Sequence, residues 1–239
     1  MVKAQPLWSQ RHFFLHDPDL LPAIGRDCFH YDYWQRRDAV TGHAFGRGTT
    51  FFLHHQGHDW VLRHYRRGGL VGKLINDSYL YLGLEKTRPV AEFKLLQYMV
   101  ELGLPVPRPV AAHISRHGLW YRGDIIIERI PSARDLVAWL GEGPLGADDY
   151  KAVGRLIRRF HGAGIYHADL NSHNILRNEQ GQLWLIDFDR GQRRPAGVWK
   201  EDNLARLKRS FEKEKGRLAH FHWQPDDWQA LMAGYQGGA

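Results

Sequence analysis

Asp169 and Asn174 stand in an Asp-x4-Asn spacing within His161-Gly-Ala-Gly-Ile-Tyr-His-Ala-Asp-Leu-Asn-Ser-His-Asn-Ile-Leu176. Asp187 ends the short apolar run Leu183-Trp-Leu-Ile186 that follows. A carboxylate on a loop can orient a hydroxyl and take its proton late in a transfer. A neutral amide oxygen suits a hard Mg2+ ion that already shares charge with phosphates, and a second carboxylate adds another oxygen ligand. Asp169 as base, with Asn174 and Asp187 as metal ligands, is the acidic machinery of phosphoryl transfer from ATP, so a kinase is expected. Asp and Asn are also common in turns, where they bond locally. The flanking His167, Leu170 and Ile175-Leu176, with Asp187 downstream, favour the chemical reading over a plain turn. His161, His167 and His173 do not form an i, i+4 pair, and zinc is not expected.

The surrounding pattern must position these groups. Ala44 to Tyr65 reads as a β-hairpin about Gln56-Gly57. A glycine-rich basic connector, Arg66-Arg-Gly-Gly-Leu-Val-Gly-Lys-Leu74, follows it. A helix is expected from Pro89 to Leu102, with Pro near its start and Gly103 past its end. Pro105 to Pro109 must run extended. Strands are expected at Val110 to Ile114 and Asp124 to Ile130, the second uniformly apolar and therefore central. Asp148 can cap a helix whose apolar residues Val153, Leu156, Ile157 and Phe160 recur at helical spacing. A second hairpin pairs Asn174-Ile-Leu176 with Leu183 to Ile186, and Glu201 to Gly216 reads as a charged amphipathic helix. Strands with one helix come first and mostly helices later. The expectation is an α+β chain of two lobes, 1–130 and 131–239, with a cleft at the junction.

Composition narrows the partners. A net charge of +7 over 239 residues points to an anionic partner. The basic residues come in short clusters without a long basic tail, so nucleic acid is not expected. No apolar run is long enough to span a bilayer. Cys28, the single cysteine, fits a reducing compartment as buried filler, and the first residues lack a signal architecture.

The His167-x-Asp-Leu-x-x-x-Asn174 loop and Asp187-Phe-Asp189 resemble the protein-kinase-like superfamily, and within it the small bacterial lipopolysaccharide kinases of the Kdo (3-deoxy-D-manno-octulosonic acid) kinase type. The finer resemblance is carried by Gly46-Arg-Gly-Thr-Thr50, Leu62 to Lys73, Glu92-Phe93 and His167 to Leu176. It implies a two-lobed kinase-like fold with a β-rich N-lobe and a reduced helical C-lobe. It implies Gly46 and Gly48 over the ATP phosphates, although Phe51 takes the place of a third glycine. Glu92 matches the helix glutamate that pairs with a strand lysine. The strand position holds Arg63 instead, so either Arg63 fills that role or Lys73 reaches in; strand position favours Arg63. Glu128 to Ile130 would be the hinge that binds adenine through its backbone.

Few residues separate Asp187 from the helix near Glu201, and no Ala-Pro-Glu signal appears, so a protein substrate is not expected. The resemblance implies ATP and Mg2+ as cofactors and the Kdo sugar of Kdo-lipid A, at its 4-hydroxyl, as acceptor. It implies a peripheral position on the cytoplasmic face of the inner membrane. Arg66, Arg67 and Lys73 suit such an anionic sugar. The alternatives are an aminoglycoside- or choline-type phosphotransferase, which would favour a cationic acceptor, and an ATP-binding scaffold without catalysis, prompted by Arg63.

Overall fold

The structure is a computed structural model that describes residues 2–45, 49–66 and 77–237. Its contacts divide the chain into two compact units, Met1–Leu102 with Pro107–Ile130, and Gly103–Val106 with Pro131–Ala239. Gly103–Val106 joins the second unit because Leu185 N donates to Pro105 O (3.1 Å) and Arg159 Nη2 to Gly103 O (2.9 Å). A single cut near Ile130 misses that short exchange.

The first unit contains β1 (Gln5–Ser9), β2 (His12–His16), α1 (Tyr31–Gln35), β3 (Val40–Phe45), β4 (Thr49–His55), β5 (His58–His64), β6 (Tyr79–Leu80), α2 (Arg88–Glu101), β7 (Pro109–His117) and β8 (Trp120–Glu128). Among the described residues the strands form one eight-stranded sheet, ordered β1-β2-β7-β8-β5-β4-β3 with β6 also on β8. The expected hairpin turns at Gln56 and Gly57, both at positive φ (49° and 80°), as a two-residue primed turn requires. Ile125 and Ile126 of β8 are fully buried, which follows from their place between β7 and β5. Helix α2 buries Val90, Phe93, Leu96 and Met99, a stripe at helical spacing, and Gly103 follows it at φ 66°. The β1–β2 hairpin escapes sequence reading because β1 is exposed along its whole length and shows no alternation.

A polar seam crosses this sheet. His12 Nδ1 meets His113 Nε2 at 2.9 Å, His113 Nδ1 meets Asp124 Oδ2 at 2.9 Å, and Asp124 Oδ1 meets His64 Nδ1 at 2.5 Å. Burial opposes a charge on His64, but hydrogen bonding and attraction to Asp124, with help from Asp77, raise its pKa. Burial and the neighbouring His113 hold His12 below its ordinary value.

The second unit contains β9 (Ala133–Asp135), α3 (Leu136–Glu142), α4 (Ala147–Gly162), β10 (Ile165–Tyr166), β11 (Ile175–Asn178), β12 (Leu183–Leu185), β13 (Gln192–Arg193), α5 (Trp199–Arg217) and α6 (Pro225–Gln236). The β11–β12 hairpin gains β9 as a third strand, and β10 pairs with β13. The N-cap of α4 is Gly146 rather than Asp148; Asp149 Oδ2 accepts the Gly146 N–H (3.3 Å), and Asp148 lies in the first turn. Val153, Leu156, Ile157 and Phe160 are all buried. Helix α4 meets α6 through two glycines. A Cβ on Gly154 would overlap the Leu231 carbonyl, and one on Gly234 would overlap the Lys151 carbonyl.

That contact predicts that Gly154→Ala destabilises the protein by roughly 1–3 kcal/mol, because backbone cannot yield as a flexible side chain does. Gly216→Ala in α5, where an added methyl meets open space, should be neutral or stabilising by about 0.5 kcal/mol. Denaturant midpoints of the two variants measure the contrast. His161 gives a pH dependence: burial pushes its pKa down to about 4 in the folded chain. The unfolded chain binds that proton near pH ~6.5. Stability from this group is therefore full above pH ~6.5 and falls as pH drops toward 4, by about 1.4 kcal/mol per unit. Unfolding curves between about pH 7 and about pH 5 should show this slope, and His161→Gln should reduce it.

Candidate active site

The loop after β10 is organised around His167, which is 2% exposed. The Asp169 N–H donates to His167 Nδ1 (3.1 Å), so the ring proton sits on Nε2 and is given to Ile186 O (2.9 Å). Burial lowers the pKa of His167, which keeps the ring neutral and this tautomer in place. One imidazole thus ties the backbone of Asp169 to the residue before Asp187. Ile186 N donates to Asn174 O (3.0 Å), so a second link joins Asn174 to the same strand end. Asp169, Asn174 and Asp187 are brought to one place by these bonds.

Their side chains are set individually. Asn174 Nδ2 donates to Asp169 O (2.9 Å), as does Asn171 Nδ2 (2.9 Å). With its nitrogen turned to Asp169 O, Asn174 keeps its amide oxygen as an acceptor, the kind of atom a hard cation takes. Asn171 Oδ1 accepts the N–H groups of His173 (2.9 Å) and Asn174 (3.2 Å), which turns the chain into β11. Asp187 sits at φ 63°, a strained region for a non-glycine residue. Phe188 beside it is fully buried, stacked on Phe160 of α4 (5.8 Å) and close to His167 (4.8 Å).

Helix α5 supplies partners that sequence reading missed. Asn203, 2% exposed, accepts the His167 N–H (3.2 Å) and donates Nδ2 to His167 O (2.9 Å). Arg206 Nη1 lies 3.1 Å from Asp169 Oδ1, both side chains being nearly half exposed. Ser210 Oγ accepts the Ser172 N–H (2.9 Å), and Glu214 lies 3.5 Å from His173 Nε2. Residues 203, 206, 210 and 214 recur at three- and four-residue spacing, so one stripe of α5 tracks the loop from 167 to 173. The signal was present as polar residues flanking Leu204, Leu207 and Phe211, but nothing local names their partners.

In the first unit, Glu92 is 2% exposed on α2 and receives Arg63 Nη2 at 2.5 Å. The Tyr65 hydroxyl donates to its other oxygen, a contact the sequence did not suggest. A buried carboxylate is held by such charged and hydroxyl donors. Glu128, at the end of β8, donates its N–H to Arg108 O (2.8 Å), and Arg129 donates to Asp59 O (2.8 Å). Burial raises the Glu128 pKa against the opposing Arg108. Ile130, partly buried, ends this unit. Gly46, Gly48 and Lys73 lie outside the described residues.

Comparison with known proteins follows the same chemistry. The sequence model of the Lipopolysaccharide kinase (Kdo/WaaP) family matches residues 31–235. A protein of Photobacterium profundum named 3-deoxy-D-manno-octulosonic acid kinase is 46% identical over 228 residues, 95% of each chain. Proteins of that name in Vibrio cholerae and Haemophilus influenzae are 48% and 45% identical, over 83% and 97% of this chain and 84% and 99% of theirs. With this match over most of its length, the chain belongs to the lipopolysaccharide kinase (Kdo/WaaP) family and is a kinase.

Proposed function

We propose that this kinase transfers the γ-phosphoryl group of ATP to a hydroxyl of Kdo on Kdo-lipid A, in assembly of the lipopolysaccharide inner core. The observation that carries the reading is the pair of buried links, through His167 and Asn174, that hold Asp169 beside the strand end bearing Asp187. In this reading the two units are the β-rich N-lobe and the reduced helical C-lobe of a kinase-like fold, with the main boundary at Ile130 and residues 103–106 going with the C-lobe. The names of the relatives support Kdo as acceptor.

Asp169 orients the acceptor hydroxyl and takes its proton as the new O–P bond forms, while the bond to the β-phosphate oxygen breaks and ADP leaves. Asn174 and Asp187 form an all-oxygen donor pair suited to Mg2+, which when bound neutralises phosphate charge. Arg63, held by Glu92, takes the place of the usual strand lysine, with a planar fork in place of a point charge. Gly46 and Gly48, which the resemblance assigns to the ATP phosphates, and Lys73, the alternative to Arg63, lie outside the described residues. The backbone of Glu128 to Ile130 is the hinge that binds adenine in this reading, with the N–H groups of Glu128 and Arg129 spent internally.

Arg206 bears on the acceptor. It pairs with Asp169, and its half-exposed guanidinium stands beside the base. A cation there would repel an aminoglycoside or choline, whereas the carboxylate of an octulosonic acid can share its fork. An acceptor carried on lipid also places the work at a membrane surface, the cytoplasmic face of the inner membrane. Among the described residues no helix is long and apolar enough to cross a membrane.

Incubation with ATP, Mg2+ and Kdo-lipid A should add one phosphate by mass, and lipid A lacking Kdo should gain none; transfer only to a soluble amino alcohol would overturn the reading. Asp169→Ala should lose about 10²–10⁴-fold in kcat with nucleotide affinity retained, whereas Asp187→Asn should raise the Mg2+ concentration needed for half-maximal rate. Arg206→Gln should raise KM for the Kdo acceptor about tenfold and leave KM for ATP unchanged, with partial recovery in Arg206→Lys. An unaltered acceptor KM would remove Arg206 from substrate recognition.

A further inference from the structure

The connection between β7 and β8 is a two-residue turn. His117 pairs with Trp120, leaving Gly118, at φ 60°, and Leu119 between them. Turn tips select polar residues and glycine, yet Leu119 is 70% exposed. Strand β6 lies against the same tip: Leu80 pairs with Trp120, and Tyr81 N donates to Leu119 O (2.8 Å). Leu80, Leu82 and Trp120 are 47%, 63% and 41% exposed. Four large, exposed apolar side chains are therefore gathered at one end of the sheet.

A basic collar surrounds them. The Arg116 guanidinium lies over the Tyr81 ring at 4.4 Å and donates Nε to Gly118 O (3.1 Å). Arg116 N donates to Arg11 O (2.9 Å), which brings the exposed Arg11 of the β1–β2 turn to the same end. Arg122, 54% exposed, bonds Asp77 (3.0 Å) and lines a hollow with Ser78, His117, Trp120 and Tyr121. The nearby acids are answered, Asp77 by Arg122 and His64 (3.4 Å), and Glu85 by Lys94 (2.6 Å). The balance at this end is positive.

We infer that this tip docks the protein on an anionic phospholipid bilayer. Leu80, Leu82, Leu119 and Trp120 enter the boundary between headgroups and acyl chains, while Arg11 and Arg116 meet lipid phosphates. A tip of four apolar residues falls well short of the about 20–30 residues a side of a stable protein interface. It suffices for shallow insertion, where apolar burial and charge attraction add. The inference deepens the proposed function, since it rests on the reading that the acceptor is a membrane lipid.

The test uses vesicles of phosphatidylethanolamine and phosphatidylglycerol that contain no acceptor. The full chain should sediment with them, and a Leu82→Glu/Leu119→Glu variant should lose at least about tenfold in affinity. Leu102→Glu, an exposed leucine outside the tip, should bind like the unaltered chain. Brominated lipid should quench tryptophan fluorescence in the unaltered chain and quench it less in Trp120→Phe, which does not depend on the double variant folding. The ratio of activity on vesicle-embedded to deacylated acceptor should also fall in the double variant. No sedimentation of the unaltered chain, equal binding by the double variant, or equal loss in Leu102→Glu would each overturn the docking surface. Vesicle binding without transfer to Kdo-lipid A would overturn the substrate reading and leave the docking surface standing.

Discussion

The candidate site depends on one neutral imidazole. His167 receives an N–H from Asp169 on one side and gives one to Ile186 on the other, so a single buried ring sets the distance between the loop and the strand end that follows it. Two features keep it in that state. Burial opposes protonation, and Asn203 satisfies both backbone groups of His167, so the loop can enter the core without orphaned polar atoms. Protonating Nδ1 would turn its acceptor into a donor facing the Asp169 N–H. The loop geometry and the charge state of this histidine are therefore the same constraint.

The rest of the second unit supports that ring. Phe188 packs between Phe160 and His167, so the apolar stripe of α4 reaches the site through two aromatic contacts. Helix α5 approaches from another side with a polar stripe. Asp135 caps α3 through Ala138 N (2.7 Å) and also holds His173 (2.9 Å), which fastens the far end of the loop. Helices α4 and α6 are drawn together by Gly154 and Gly234, where any side chain would push the backbones apart.

The first unit solves a different problem, the burial of a carboxylate. Glu92 is almost wholly enclosed, and Arg63 and Tyr65 occupy its two oxygens. Arginine suits this position because its charge persists and its planar fork can serve one partner while presenting other N–H groups. A lysine would offer a compact ammonium and shift its pKa more readily on burial. The substitution changes the shape of the contact and keeps its charge.

Residue types and spacing determined the reaction class, because an oxygen-rich phosphoryl-transfer site draws on few side chains and two of its acids and its amide lie within one short stretch. They also determined the main elements: hairpin turn, apolar periodicity and helix-ending glycine are all local signals, and the β4–β5 hairpin, α2, α4 and the β11–β12 hairpin lie where those signals put them. The β1–β2 hairpin and α6 did not declare themselves, the first for want of alternation and the second because its packing rests on glycines, which carry no apolar signal. Only the tertiary structure decided which residues support the loop. Asn203, Arg206 and Ser210 are chemically ordinary on a charged helix, and Tyr65 is ordinary at a strand end. Their roles come from hydrogen bonds to residues far away in sequence, and such bonds depend on where chain packing brings the groups, which no local pattern encodes.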